Sequence, residues 1–253
     1  MKILVFNDLH CGSELGLTPP SCFREDLRFQ QEPLFEFWKF ALDKYGPFDA
    51  AIGNGDLVDG EGKKDTTNQL TTNTEKQAIM AAELIEMIPV PRDKIALTYG
   101  TPFHTAGTYS YENTVADKLG IPNPVDTLFL EIDGVRIRAR HQIGRSGIPY
   151  GQGTPALKEL VREAMEALLE GDERADIVLG AHVHYAFDAT LSSLGTVAVV
   201  PCLQMPGSVF GRRMASSYYD VGVGIIATDH GHFRYEPIKM DLKIVRKRSW
   251  QKW

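Results

Sequence analysis

Five short apolar runs along this chain each lead into side chains that can bind a metal ion, with stretches of helical periodicity between them. The runs cover residues 2–6, 49–52, 95–99, 135–139 and 176–179. The segments that follow them are Asp8-Leu9-His10, Gly55-Asp56-Leu57-Val58-Asp59-Gly60, Gly100-Thr101-Pro102-Phe103-His104, Arg140-His141-Gln142 and Gly180-Ala181-His182-Val183-His184. Five of the seven histidines therefore follow strand-like runs, a bias that scattered core histidines would not show. A side-chain period of two puts Asp8 and His10 on one side of an extended chain. A carboxylate beside an imidazole is a donor pair for first-row metals. In open α/β sheets ligands gather beyond the carboxyl ends of strands, so one sheet edge can hold all five segments.

The intervening sequence supports alternating helix and strand. A helix is expected over 26–45, with Leu27, Leu34, Phe35, Trp38 and Leu42 as its apolar stripe. A second is expected over 72–88 and a third from 109 to the Leu119-Gly120 stop. For the fourth, Thr154 is the expected N-cap and Pro155 suits the first turn. Its expected buried face is Leu157, Leu160, Val161, Ala164, Met165 and Leu168, with Gly171 as terminator. After residue 180 the pattern turns to strands at 185–191, 196–200, 221–228 and 232–237, with Asp229-His230-Gly231-His232 as a hairpin turn. The fold class this implies is α/β: two stacked mixed β-sheets flanked by helices on both outer faces.

In order and spacing these blocks resemble the calcineurin-like metallophosphoesterase superfamily, whose pattern is D-x-H, G-D-x-x-D, G-N-H-[DE], a lone His and G-H-x-H. The resemblance covers roughly residues 1–200. Each block is weak alone, and five in order are specific. It implies the superfamily's sandwich fold and two divalent metal ions, with Asp8, His10 and His184 around the first and His141 and His182 around the second. Asp56 would bridge them, and Asp59 would orient a ligand histidine. The reaction it implies is hydrolysis of a phosphoester by a metal-bridged hydroxide. Manganese is the first expectation, and Fe, Zn or Ni also suit the Asp/His set.

The third block departs from the pattern. Thr101 and Pro102 stand where the family has Asn and His, and His104 comes two residues late. His104 is expected to act as general acid on the leaving oxygen. Replacement of the missing Asn as a metal ligand stays open, as does a plain loop-capping role. Thr101 and Asn54 can each offer an oxygen near the second metal. The Asp56 block lacks the Arg that the superfamily's protein phosphatases carry after the second Asp, which favours phosphodiesters, nucleic acid among them. The alternatives are a small-molecule phosphomonoesterase and a metal-binding scaffold without turnover.

Composition fits a large single core, expected over 1–240, with residues 241–253 as a basic tail containing Trp250 and Trp253. No apolar run reaches the length of a membrane span, and the chain opens on a core strand, so neither a membrane partner nor a signal peptide is expected. Three cysteines fit a reducing cytoplasm; Cys11 adjoins His10 and is expected to be a buried thiol. The net charge of −6 argues against general nucleic-acid binding, while the basic tail leaves a nucleic-acid substrate open. Arg145, on a glycine-rich loop, and Arg212 and Arg213, beside Tyr218-Tyr219, are candidate substrate-binding residues. The Tyr/Arg pairing equally suits a homo-oligomer contact.

Overall fold

The computed structural model describes residues 1–61, 68–104, 110–207 and 219–244. Among the described residues, ten strands form two five-stranded mixed sheets. The first contains β1 (Lys2–Phe6), β2 (Ala50–Asn54), β3 (Ile95–Thr98), β9 (Gly222–Asp229) and β10 (His232–Lys239), in the order β10-β9-β1-β2-β3. The second contains β4 (Leu128–Ile132), β5 (Val135–Gln142), β6 (Ile177–Ala181), β7 (Phe187–Leu191) and β8 (Gly195–Val199), in the order β4-β5-β6-β8-β7. Parallel pairing joins β1 to β2, β2 to β3, β5 to β6 and β6 to β8.

The alternation along β1 shows why the sheets stack. Ile3 and Val5 point between the sheets, where they meet Ile52, Ile137, Ile177 and Ile226. Leu4 and Phe6 point the other way, into the layer built by α1 (Arg28–Tyr45), α2 (Thr74–Glu86) and α3 (Tyr111–Leu119). A strand buried on both faces must be apolar at every position, which is why the run is continuous. The outer face of the second sheet packs Val178, Val197 and Val199 against Ala156 and Leu160 of α4 (Gly153–Glu170). The layers are therefore helices, sheet, sheet, helix, as expected.

Several boundaries differ from the sequence reading. A 3-10 turn at Glu25–Leu27 precedes α1, so α-helical bonding starts only at Arg28. Asn73 caps α2, its Oδ1 accepting from the Lys76 amide at 2.9 Å. Strand β4 was not anticipated, because its Leu128/Leu130/Ile132 face is short and only partly buried. It turns into β5 through Asp133 (φ 52°) and Gly134 (φ 75°), the left-handed pair a two-residue hairpin needs. The β9–β10 turn has the same form at His230 and Gly231, and its Gly231 amide donates to Asp133 O at 2.8 Å. His230 is thus a turn residue and His232 the first residue of β10, at the end of the first sheet away from the carboxyl termini of β1, β2 and β3.

The largest correction concerns α4. Thr154 lies inside the helix and caps nothing. The helix buries Ala156, Leu160, Glu163 and Ala167, while Val161, Met165 and Leu168 of the expected core face are exposed. The inward place at position 163 goes to Glu163 because it neutralises Arg138, which projects from β5 and is 3.1 Å away. No helix of the described residues is long and apolar enough to cross a membrane.

Candidate metal centre

The segments after β1 and β2 remain zipped beyond the strands. Asp8 N donates to Gly55 O at 3.0 Å, His10 N to Asp56 O at 3.1 Å and Cys11 N to Leu57 O at 3.1 Å. This holds Asp8-Leu9-His10 against Asp56 at the carboxyl edge of the first sheet. His141, near the end of β5, and His182 and His184, just past β6, come from the second sheet.

Asp8, His10, Asp56, His182 and His184 all have left-handed backbone, with φ between 45° and 73°. They are five of the seven such non-glycine residues among those described. Each costs about 1–3 kcal/mol, and such strain gathers where side-chain placement outranks backbone comfort. It also corrects the period-two argument: Asp8 and His10 converge because the chain curls in left-handed steps, not because it stays extended. Gly100 accommodates the curl, since a Cβ there would stand 2.1 Å from Asp56 Oδ1.

The side chains form two adjoining donor sets. In the first, Asp8 Oδ1 is 3.2 Å from His184 Nε2 and 3.6 Å from His10 Nε2, and the two Nε2 atoms are 3.3 Å apart. Donors about 2.0–2.1 Å from one tetrahedral ion stand about 3.3 Å from each other, so the spacing fits a cation. In the second set, Asp56 Oδ2 is 2.9 Å from His141 Nε2, 4.0 Å from His182 Nδ1 and 3.9 Å from His104 Nε2. Asp8 Oδ1 lies 3.8 Å from His141 Nε2, which joins the two sets.

Surrounding groups fix which atoms face inward. His141 Nδ1 donates to the Asn54 carbonyl at 2.6 Å, and His104 Nδ1 donates to the Asp59 carbonyl at 2.7 Å, which turns the Nε2 of each ring toward the centre. His10 Nδ1 faces Asp59 Oδ1 at 3.4 Å, and Gln69 donates to Asp59 Oδ2 at 2.9 Å. Asn7 Nδ2 and the His182 amide occupy Asp8 Oδ2, leaving Oδ1 for the centre. Thr101 occupies Asp56 through its amide, 2.6 Å from Oδ1, and through its hydroxyl, which lies 3.1 Å from Oδ1 and 3.2 Å from Oδ2. His141 Nε2 is buried without a hydrogen-bond partner. A lone pair there and a carboxylate oxygen 2.9 Å away require a positive charge between them, a proton or a metal.

The ionisation pattern follows. Burial disfavours the charged Asp8 carboxylate, but the His184 and His141 rings overturn that and hold it well below its ordinary range. Asp56 is lowered against the same burial by His141 and His104. Burial would likewise neutralise His10, yet Asp59 and Asp8 raise it to about 10. For His141, burial is outweighed by Asp56 and Asp8, which raise it to about 9. Burial lowers His182. Both raised histidines stabilise the metal-free fold fully below the ordinary value of 6.5, and this contribution is lost as pH climbs through about 9–10. A cation must displace both protons. Divalent-ion affinity is therefore expected to rise with pH between about 6 and 8, approaching tenfold per unit for each proton released. Calorimetry in buffers of different ionisation enthalpy reads the proton count; pH-independent affinity would contradict this arrangement.

All the candidate ligands, together with Asp59 and His104, meet in this cluster. Arg145 is exposed on the loop before α4, while Arg212 and Arg213 lie outside the described residues, as does most of the basic tail. The Asn54 side chain does not reach the centre: its Oδ1 accepts from Thr98, and only its carbonyl serves, through His141. Cys11 is a buried thiol donating to Leu17 O at 3.3 Å. Sequence reasoning missed Asn7, Gln69 and Glu112. Asn7 had only its adjacency to Asp8 as a signal, and Gln69 sits in a polar stretch without periodicity. Glu112, from the first turn of α3, is buried; burial and then the Asp56 charge raise its carboxyl, despite a hydrogen bond from Ser110.

No family model matches the sequence, and no curated protein matches it. Among solved structures, the chain is similar to a novel archaeal phosphodiesterase, at 14% identity over 95% of this chain and 100% of that one, with a TM-score of 0.48. It is similar to wild-type Vps29 complexed with zinc from Entamoeba histolytica, at 12% identity over 94% and 99%, TM-score 0.48. It is also similar to a predicted phosphoesterase from Streptococcus pneumoniae, at 14% identity over 92% and 86%, TM-score 0.43. Two stacked mixed sheets between helix layers, with an Asp/His cluster at the strand carboxyl ends, are the architecture that the resemblance to calcineurin-like metallophosphoesterases implies for this chain.

Proposed function

We propose that this protein is a dinuclear metal-dependent phosphodiesterase, with nucleic acid among its candidate substrates. The observation that carries the reading is the double donor set around Asp8 and Asp56. Asp8, His10 and His184 would hold one ion and His141 and His182 the other, with Asp56 shared; manganese is the first ion to test. When bound, the ions supply Lewis-acid stabilisation of developing phosphoryl charge and draw a nucleophile from water at neutral pH. Thr101 would steady the Asp56 carboxylate, its amide on Oδ1 and its hydroxyl across both oxygens. Asn54 and Asp59 keep the ligand rings in the tautomer that points Nε2 inward.

His104 holds a proton for the leaving oxygen on Nε2, with its ring anchored through Nδ1 and set edge-on to His10 at 4.7 Å between centroids. Arg145, exposed on the loop before α4, would meet substrate charge outside the buried cluster. His104→Ala is expected to leave metal stoichiometry unchanged and to slow alkyl diesters by about 10²–10⁴-fold, the usual worth of a general acid. Aryl diesters, whose leaving groups need little protonation, should slow far less. Loss of one metal equivalent would instead make His104 a ligand.

A second reading, a metal-binding scaffold without turnover, is favoured by the third block, where Thr101 hydrogen-bonds to Asp56 at the place of the family's Asn ligand. Manganese-loaded protein assayed on bis(p-nitrophenyl) phosphate and p-nitrophenyl phosphate separates the readings. Diester hydrolysis in excess supports the proposal, monoester preference moves it to a phosphomonoesterase, and full occupancy without either activity supports the scaffold.

A further inference from the structure

The two sheets do not fill the space between them everywhere. Where β1, β2, β5 and β6 face one another, the gap is packed with Ile and Val side chains. Between the edge strands β10 and β7 it opens into a cavity of about 500 Å³, at the end of the sandwich where β6 and β8 begin and β9 turns into β10. The candidate metal centre is at the opposite end. Phe233 and Tyr235 line the cavity from β10, and Asp188, Thr190 and Thr196 line it from the second sheet. Asp188 pairs with Ala198 and Thr190 with Thr196 across β7 and β8; Ala198 belongs to the core between the sheets, so this polar row faces inward with it.

Two groups in the cavity are uncommitted. The Tyr235 hydroxyl is buried and has no hydrogen-bond partner among the described residues. Its ring reaches over β9 at Gly224, where a Cβ would stand 2.8 Å from Cε2, so it leans on the first sheet. Burial, and behind it the Asp188 charge, push the phenol up. Asp188 has no ion pair among the described residues. The other charges on the lining are engaged: Asp176 accepts from the Arg136 amide at 2.9 Å, Arg174 donates to Ser193 O at 2.8 Å, and Arg234 faces Glu236 at 3.4 Å. A buried hydroxyl left unpaired costs stability, and native folds keep few of them. Stacked sheets lie about 10 Å apart, so a ring leaning on one and short polar side chains on the other leave a slot.

We propose that this cavity binds a flat, uncharged heteroaromatic ring of the guanine type, stacked on Tyr235 and turning two adjacent N–H donors to the Asp188 carboxylate. Paired N–H bonds to one carboxylate are both strong and selective for that donor spacing. The Tyr235 hydroxyl gains its missing partner in a ring nitrogen or carbonyl. The Thr190 and Thr196 hydroxyls, 2.9 Å apart, satisfy each other and still leave one proton for the ligand. The charges of Arg174, Arg234, Asp176 and Asp188 cancel, which suits a neutral ring better than an anion or a cation. The volume lies in the range of sites that enclose small ligands.

Calorimetric titration of the full chain with guanosine tests this, once with manganese and once with a chelator. The expected dissociation constant is on the order of 10 µM, the same in both conditions. Asp188→Asn should weaken binding by about 10–100-fold, the usual worth of hydrogen bonds to a charged group. Uridine, whose base offers a single N–H, should bind at least about tenfold more weakly than guanosine. Tyr235→Phe separates a ligand role from a structural one. Deleting the unpartnered hydroxyl should raise the Tm of the ligand-free protein by about 2–4 °C, and guanosine should then raise it less than in the wild type. No binding at millimolar guanosine would overturn the proposal, as would equal affinity for uridine or a Tyr235→Phe variant less stable than the wild type. So would binding that is lost on chelation or untouched by Asp188→Asn, since either would put the ligand elsewhere.

Discussion

Asp56→Asn is expected to strip divalent ions from both halves of the centre and to lower diester turnover by at least about 10³-fold. The substitution keeps shape and removes only charge. Asp56 is 1% exposed, and its Oδ2 faces His141, His182 and His104. An amide there cannot offset two cations held close together, and several kcal/mol of charge stabilisation in the transition state is lost with them. Each 1.4 kcal/mol is a factor of ten in rate. Elemental analysis after dialysis, alongside diesterase rates, checks both halves of the statement. Retained activity with two ions bound would mean the charge that joins the halves comes from another group.

Glu163→Ala is expected to destabilise the fold by about 3 kcal/mol without altering the centre's chemistry, since the residue lies on the opposite face of the second sheet. Arg138 and Glu163 are each 4% exposed and 3.1 Å apart, and Glu163 also accepts from the Ala175 amide at 3.1 Å. Removing one member of a buried pair leaves the other charged in a poor solvent, typically at a cost of about 3–5 kcal/mol. The lower end applies because Arg138 keeps Glu166 at 3.1 Å. A double replacement, Arg138→Met with Glu163→Leu, should recover most of the loss. Urea denaturation of the three variants decides it; a double variant no better than Glu163→Ala would mean that the pair is not the source of the stability.

The centre was more legible than the frame around it. Metal donors are rare residue types placed directly after apolar runs, so Asp8, His10, Asp56, His141, His182 and His184 stand out even with no family model to support them. What supports them is less visible. Gln69 reaches Asp59 from a polar stretch without periodicity, and Thr101 takes up Asp56 in a block that had lost its pattern. The backbone that aims the candidate ligands is left-handed, and nothing in an Asp or His letter announces that. The α4 helix, its buried Leu160 and its Gly171 stop were legible, but Val161, Met165 and Leu168 were placed inward wrongly, because periodicity reports that a helix has an apolar face, not which of its apolar residues the fold buries. Position 163 turned inward because Arg138 on β5 needed a counter-charge, a tertiary demand absent from the helix's own sequence.

The most direct test of the central claim is a manganese titration of metal-free protein followed by calorimetry and by hydrolysis of bis(p-nitrophenyl) phosphate in the same samples. Two equivalents bound, with activity appearing as the second site fills, is the expected result. One equivalent or none, with no turnover at saturation, would contradict the dinuclear phosphodiesterase.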